Sequence, residues 1–351
     1  MVLISWYSSS SNSSFPIINS SQISSGDERY QLEFQELLKT LPKEDGWKSD
    51  FLYQHQGFWG QPRLLLSSEA CQKQFQAYDT DVLLATQPKS GTTWLKALAF
   101  AIANRKRYAL SSHPLLLSIS HKLVPFIEHG TSNDEVADHH QISNNYPSSQ
   151  SQRVLSTHLP YASLPKSAKT SACPIVYLCR NPKDTFVSKW HYMSKIGSED
   201  FGSLSIERAH DLYCRGVSLF GPFWKHILGY WEASLESPKK ILFLTYEEMK
   251  EDTEYQVKRL AKHMGCPFST EEENKGIIQD IIKLCSFENL KKLEESRENI
   301  SIKDDDDDYT VFYRKGVVGD WVNYLTPQMA ERLDQVTKEK LHDHGFPMFK
   351  D

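Results

Sequence analysis

The chain is 351 residues long with a formal net charge of −5 and 39% hydrophobic residues, enough to bury a large core as one α/β domain or two smaller ones. Its lysines and arginines are scattered rather than gathered into a basic face, which argues against a nucleic-acid partner. No apolar run is long enough to cross a bilayer, and Met1-Val2-Leu3-Ile4-Ser5-Trp6-Tyr7 is too short and lacks the basic flank of a secretion signal. A soluble cytoplasmic protein without membrane attachment is expected. Cys71, Cys173, Cys179, Cys214, Cys266 and Cys285 form no C-x-x-C pair, a pattern that fits reduced thiols better than disulfides or zinc.

In chain order, Ser5 to Gly26 is rich in serine and asparagine, uncharged and without periodicity, so residues 1–29 are expected to form a disordered extension and 30–351 one folded domain. A transit peptide is the other reading, opposed by the absence of arginine before Arg29. Gln31 to Thr40 has a helical pattern. Tyr53-Gln54-His55-Gln56-Gly57-Phe58-Trp59-Gly60 reads as an aromatic turn whose rings serve as core or pocket wall.

Val82-Leu83-Leu84-Ala85-Thr86 reads as a strand, followed by Gln87-Pro88-Lys89-Ser90-Gly91-Thr92-Thr93-Trp94 and then by Leu95, Leu98, Ala99 and Ile102 at helical spacing to about Asn104. A glycine turn between strand and helix leaves unpaired N–H groups at the helix start, and Lys89, Ser90, Thr92 and Thr93 add charge and donors, so a phosphate would sit there. The usual triphosphate loop places lysine directly after its second glycine. Here lysine precedes the glycine, and no Gly-Lys dipeptide occurs in the chain. A polar turn with a surface lysine is the alternative reading.

Tyr108 to Gln152 has weak periodicity and is expected to be a long surface excursion, with His139-His140 as loop residues: neighbours point apart, unlike a metal pair at i, i+4. Arg153-Val154-Leu155-Ser156-Thr157-His158-Leu159-Pro160 is a short apolar strand ending in a histidine. In a parallel sheet that histidine shares the ligand-binding edge, where it can take a hydroxyl proton; a buried imidazole satisfied by a carbonyl is the bland reading. Ile175 to Cys179 repeats the strand signal and runs into Arg180-Asn181-Pro182-Lys183-Asp184, with proline in the first helical turn and Phe186, Val187 and Trp190 continuing the helix. Arg180 and Ser188 either grip a phosphate or, for Arg180, form a strand-end salt bridge. Ile241 to Thr245 is a fourth strand with Tyr246 at its end, and Val257, Leu260, Ala261 and Met264 follow as a helix. Phe312-Tyr313-Arg314-Lys315-Gly316-Val317-Val318-Gly319-Asp320-Trp321 offers two cations and two glycines for an anion nest, or a basic surface loop.

Gln-Pro-Lys-Ser-Gly-Thr-Thr-Trp at 87 to 94, Arg-Asn-Pro-Lys-Asp at 180 to 184 with Ser188, and Arg-Lys-Gly-Val-Val-Gly-Asp-Trp at 314 to 321 resemble the three donor-binding signatures of cytosolic sulfotransferases, in order and spacing. The resemblance covers nearly all of the chain after the tail. It implies one α/β domain with a central parallel sheet flanked by helices and a P-loop-like phosphosulfate loop. The implied co-substrate is 3′-phosphoadenosine 5′-phosphosulfate (PAPS), with no metal and a small-molecule hydroxyl acceptor. It implies that Lys89, Ser90, Gly91, Thr92, Thr93 and Trp94 hold the 5′-phosphosulfate side and stack adenine. Arg180, Ser188, Arg314, Lys315 and Gly316 would hold the 3′-phosphate. Tyr246, Cys285, Ser286 and Phe287 match positions near the nucleotide. The implied catalytic set is His158 as base, Lys89 as the cation at the leaving oxygen, and Ser188.

Two features depart from animal members. Ser156 stands where they carry a lysine two residues before the histidine, a pattern shared with plant members, and the animal dimer motif would fall at Val322, Thr326-Pro327 and Glu331, where two of its elements are lost. A monomer is expected. Asp304 to Asp308, after Lys303, is an acidic insert of the kind usually solvated. Gln54 to Trp59, Leu178 to Tyr192, Leu212 to Gly216 and Leu284 to Leu293 look most like plant members, above all the hydroxyjasmonate-sulfonating branch; flavonoid, steroid and desulfoglucosinolate acceptors stay open. Two other classes are also open: an ATP-dependent small-molecule kinase, and a nucleotide-binding protein without turnover.

Overall fold

The computed structural model describes residues 25–129, 152–197, 202–299 and 309–349. Most of the serine-rich extension, the His139-His140 pair and the Asp304 to Asp308 run lie outside the described residues. The first helix, Ser25–Thr40, begins before the expected Gln31.

Four strands build the central sheet: β4 (Val82–Thr86), β5 (Val154–Thr157), β6 (Ile175–Cys179) and β7 (Ile241–Thr245). They lie in the order β5-β4-β6-β7 and every pairing is parallel. The fold is α/β. Unbroken apolar runs are what such a sheet requires, because helices cover both faces. Every residue of β4 and β6 is buried. Leu83, Ala85, Ile175 and Tyr177 face one core while Val82, Leu84, Val176 and Leu178 face the other, as the twofold alternation of strand side chains demands.

The chain leaves β4 on one side to form β5 and returns on the other side to form β6. Strand order therefore reverses at β4, and open α/β sheets bind ligands at the carboxyl edge of such a reversal. The helices Thr92–Asn104, Pro182–Ile196 and Tyr246–Glu251 all start at that edge, after β4, β6 and β7 respectively.

Two expectations are corrected. The aromatic turn is the tip of a small antiparallel sheet, in which β2 (Phe51–His55) pairs with β1 (Lys43–Asp45) and with β3 (Phe58–Gly60). Gln56 and Gly57 both have positive φ, at 49° and 83°, the left-handed pair that closes a tight hairpin. Phe58 and Trp59 are buried in the core. Residues 108 to 129 are likewise no surface excursion. Leu115, Ile119, Val124, Phe126 and Ile127 are buried, and the segment adds a parallel bridge beside β5: Ser156 N–H donates to Pro125 O at 2.9 Å and Ile127 N–H to Ser156 O at 2.9 Å. Irregular backbone can be buried when its polar groups find such partners, and that pairing leaves no periodic signal.

Candidate active site at the carboxyl edge of the sheet

The loop after β4 is conformationally strained in a telling way. Lys89 itself adopts φ 72°, a left-handed conformation that costs a non-glycine residue about 1 kcal/mol and collects at functional sites. Gly91, at φ 106°, is the N-cap of helix Thr92–Asn104, which has no side-chain cap. The first N–H groups of that helix are therefore free for an anion. Only glycine fits here: a Cβ on Gly91 would meet Tyr246 Cδ2 at 2.8 Å and Leu178 Cδ2 at 3.1 Å. The Thr92 hydroxyl bonds that of Thr86 at 2.7 Å. Ser90 is fully buried, and its Oγ has no hydrogen-bond partner among the described residues.

Lys89 Nζ sits 4.1 Å from the Tyr192 ring centroid and 5.3 Å from that of Phe312. Burial, with Arg314, Arg180 and Lys195 nearby, pushes its pKa down to about 7. A cation held among other cations is a site prepared for negative charge.

Beyond the end of β5, His158 is buried at 6% exposure and lines the same cleft. Its Nδ1 lies 2.7 Å from Thr86 O. A carbonyl only accepts, so Nδ1 carries the proton and Nε2 keeps a lone pair. Burial, aided by the charges of Lys96 and His129, holds its pKa well below the usual histidine value, so the ring is neutral at pH 7. The backbone around it is pinned on both sides. His158 N–H donates to Glu128 Oε1 at 2.7 Å, and His226 Nε2 donates to His158 O at 3.0 Å. His226 Nδ1 in turn accepts from Tyr177 Oη at 2.8 Å.

At the end of β6, Arg180 stacks 4.5 Å from the Tyr246 ring centroid, donates to Val317 O at 2.6 Å and pairs with Asp184 at 3.3 Å. Asp184 is fully buried and also accepts from Gly319 N at 2.8 Å and Trp321 N at 3.1 Å. Tyr246 Oη donates to Gly316 O at 2.9 Å. These bonds draw the Tyr313 to Trp321 loop onto the ends of β6 and β7. Gly316 has φ 66°, and a Cβ there would collide with the Phe287 ring at 2.5 Å. Arg314 and Lys315 both pair with Asp320. Although burial works against it, hydrogen bonds from Lys315, Arg314 and Asn323 hold the Asp320 carboxyl at about 2.

One cleft, with an empty volume of about 1370 Å³ including its open mouth, collects Lys89, Gly91, Thr92, Thr93, Trp94, His158, Arg180, Ser188, Tyr246, Ser286, Phe287, Arg314, Lys315 and Gly316. Ser90 and Cys285 are not on its wall; both are fully buried. The Cys285 thiol lies in the hydrophobic core with Leu284 and Leu290, at the C-cap of helix Ile277–Leu284. Trp94 and Tyr246 meet edge-on at 5.5 Å, with Phe287 on the same wall.

Sequence reasoning missed His121, Phe126, Lys189, Tyr192 and Phe312, which also line the cleft. Lys189, lowered by burial to about 7, donates to Ser218 Oγ at 3.0 Å and Leu219 O at 2.7 Å, holding the loop whose Phe220 ring lies 5.3 Å from His158. Lys189 directly follows Ser188, and adjacency was the only signal. Asp184 anchors the Gly319 loop.

A sulfotransferase-domain family profile matches residues 79–345. The chain is 48% identical to cytosolic sulfotransferase 15 of Arabidopsis thaliana over 324 residues, covering 91% of this chain and 88% of that protein. It is 46% identical to cytosolic sulfotransferase 14 of the same plant over 91% of each chain. Among solved structures it resembles a putative steroid sulphotransferase of Arabidopsis thaliana, with TM-score 0.70, 40% identity and coverage of 92% of this chain and 98% of that one. It also resembles mouse sulfotransferase SULT7A1 complexed with PAP, with TM-score 0.62, 26% identity and coverage of 83% and 95%. A prepared anion site and a neutral histidine share one cleft, and the likeness spans nearly the whole chain: it belongs to the sulfotransferase family and is a PAPS-dependent sulfotransferase.

Proposed function

We propose that this cleft transfers a sulfuryl group from PAPS to a hydroxyl of a small plant metabolite, with His158 as base and a hydroxyjasmonate-like acceptor preferred. The observation that carries the reading is the pairing of a neutral His158, its Nε2 free of the Thr86 bond, with a loop whose Lys89 stands near Arg314, Arg180 and Lys195 and makes no ion pair with a carboxylate among the described residues. The donor fits the residues present. Arg180 Nε and Arg314 Nε, on two residues that line the cleft, are buried with no hydrogen-bond partner among the described residues, and mouse SULT7A1, of the same fold, was solved with PAP.

In this reading the helix N-terminus, Lys89, Thr92 and Thr93 hold the 5′ side of the donor. Arg180, Ser188, Arg314, Lys315 and Gly316 hold the 3′-phosphate, and Trp94, Tyr246, Ser286 and Phe287 form the base slot. PAPS supplies the sulfuryl group and departs as the bisphosphate. His158 Nε2 takes the acceptor hydroxyl proton while its Nδ1–H stays on Thr86 O, so the imidazolium that forms remains oriented. Lys89 and the helix N-terminus stabilise charge gathering on the departing oxygen, which is where electrostatic preorganisation is worth most in transfers of this kind. Phe126, Tyr192, Met193 and Phe312 wall the cleft with apolar surface that suits a hydrocarbon acceptor body.

The direct test incubates the protein with PAPS and a panel of hydroxylated plant metabolites that includes hydroxyjasmonate, flavonols, steroids and desulfoglucosinolates, with products read by mass. Sulfonated hydroxyjasmonate at the highest kcat/KM supports the reading. A higher value for another class replaces the acceptor, and an ATP-dependent phosphorylated product would replace the reaction. The cytosolic names of the Arabidopsis relatives support a cytoplasmic setting, and the lost dimer motif supports a monomer.

A further inference from the structure

His121 is a buried imidazole on the cleft wall, 6% exposed. It belongs to the short helix Ser120–Leu123, which is tied to the phosphate-loop helix by a 3.0 Å bond from Ser120 Oγ to Thr93 O. Its ring stacks on Phe312 at 4.5 Å and lies 5.9 Å from Phe126, whose own ring is 4.7 Å from His158. His121 therefore stands one aromatic ring away from the base, on the side where an acceptor body would lie. The two cleft histidines differ in one respect. His158 is fixed as a single tautomer by Thr86 O. Neither ring nitrogen of His121 is hydrogen-bonded by a described residue, and its Nδ1 is buried and unsatisfied.

Buried polar atoms in native proteins almost always have partners, and an orphan on a residue that lines a cleft points to a partner that is not protein. The surroundings specify its kind. Lys89 and Lys96 lie near the ring, and burial together with these charges keeps His121 neutral, so it has one N–H to give. Lys96 is itself fully buried; its Nζ lies 3.3 Å from the Phe126 centroid and has no hydrogen-bond partner among the described residues. Burial pushes the pKa of Lys89 down to about 7 and that of Lys96 well below its ordinary value, so an oxygen bearing negative charge beside the His121 N–H is favoured because it restores charge to both amines. Glu128, whose Oε2 has no hydrogen-bond partner among the described residues, acts on Lys96, and burial raises its own pKa to about 7.

We propose that His121 is a specificity-determining residue that hydrogen-bonds a second oxygen of the acceptor, a carbonyl or carboxylate distinct from the hydroxyl being sulfonated. This rests on the sulfuryl-transfer reading above and adds a rule for choosing acceptors within it. A site built to bond a polar group discriminates against analogues lacking it, because its own donor is then left buried and unpaired.

The test measures kcat/KM of the full chain with PAPS on three matched phenols: para-propylphenol, para-hydroxyphenylpropanoate and its methyl ester. The wild type is expected to prefer at least one oxygen-bearing member over para-propylphenol, the ester and the acid separating carbonyl from carboxylate. His121→Phe should shrink that preference about tenfold, while His121→Asn, which keeps an N–H, should retain most of it. PAP affinity, measured by titration, should be unchanged in both variants, which also shows that they are folded. A wild type with no preference, a preference that survives His121→Phe, an equal loss on all three phenols, or a loss of PAP affinity would each overturn the proposal. Turnover of para-propylphenol by the wild type reports sulfuryl transfer itself, so the two readings fail separately.

Discussion

Lys89 shows how one side chain can register its ligand before the ligand arrives. Burial and three neighbouring cations lower its pKa to about 7, so above that pH the free protein holds much of it as a neutral amine. A bound anion restores the charged form, which means that PAP binding takes up a proton in that range and its affinity falls as pH rises past 7. Calorimetry in buffers of different ionisation enthalpy should show uptake approaching one proton at pH 8 and nearly none at pH 6. No buffer dependence at pH 8 would mean that Lys89 does not meet the anion. His158 behaves in the opposite sense to a base that needs deprotonating: burial keeps it neutral well below its ordinary value, so kcat/KM should show no acidic limb between pH 6 and 7 from this group. A limb at the ordinary histidine value would place the base elsewhere.

At the level of elements, the site depends on two glycine turns and one buried carboxylate. Gly91→Ala forces a left-handed alanine against Tyr246 and Leu178. The expected outcome is a loss of ~1–2 kcal/mol of stability together with weakened PAP binding, read by denaturant unfolding and titration; an unaltered affinity would show that the loop tolerates a shift. Asp184→Asn removes the charge that pairs Arg180 and accepts from Gly319 and Trp321. Breaking such a buried set leaves Arg180 uncompensated. PAP affinity should fall roughly tenfold or more, and wild-type affinity in this variant would show that the Gly319 loop is held by other means. The strand-turn-helix junctions at Lys89 and Arg180 were legible in the sequence because the apolar run, the turn residues and the helical spacing lie within about twenty positions of each other. The job of Asp184 was not legible, since its partner Gly319 N is 135 residues away. Glu128, Phe126 and His121 were hidden for another reason. Phe126 and Glu128 sit on or beside irregular backbone that pairs with Ser156 along the sheet edge, and His121 on the four-residue helix Ser120–Leu123; neither is long or regular enough to show a period.

For the whole molecule, the parallel sheet was readable from four unbroken apolar runs, and their shared carboxyl edge brought His158 and Arg180 to one place. The antiparallel hairpin Phe51 to Gly60 was less so, because its aromatic residues suit a turn as well as a strand. Val322 is 61% exposed and two elements of the animal dimer motif are missing, so light scattering should give the mass of one chain; a stable dimer would remove that expectation without touching the site. The central claim is that a neutral His158 accepts the hydroxyl proton in a cleft that binds the donor independently of it. Parallel measurement of steady-state sulfonation and PAP titration for His158→Ala tests this most directly. The account predicts a kcat roughly 10²-fold or more below wild type with PAP affinity unchanged, and an unaltered kcat, or a loss of PAP binding that accounts for the defect, would contradict it.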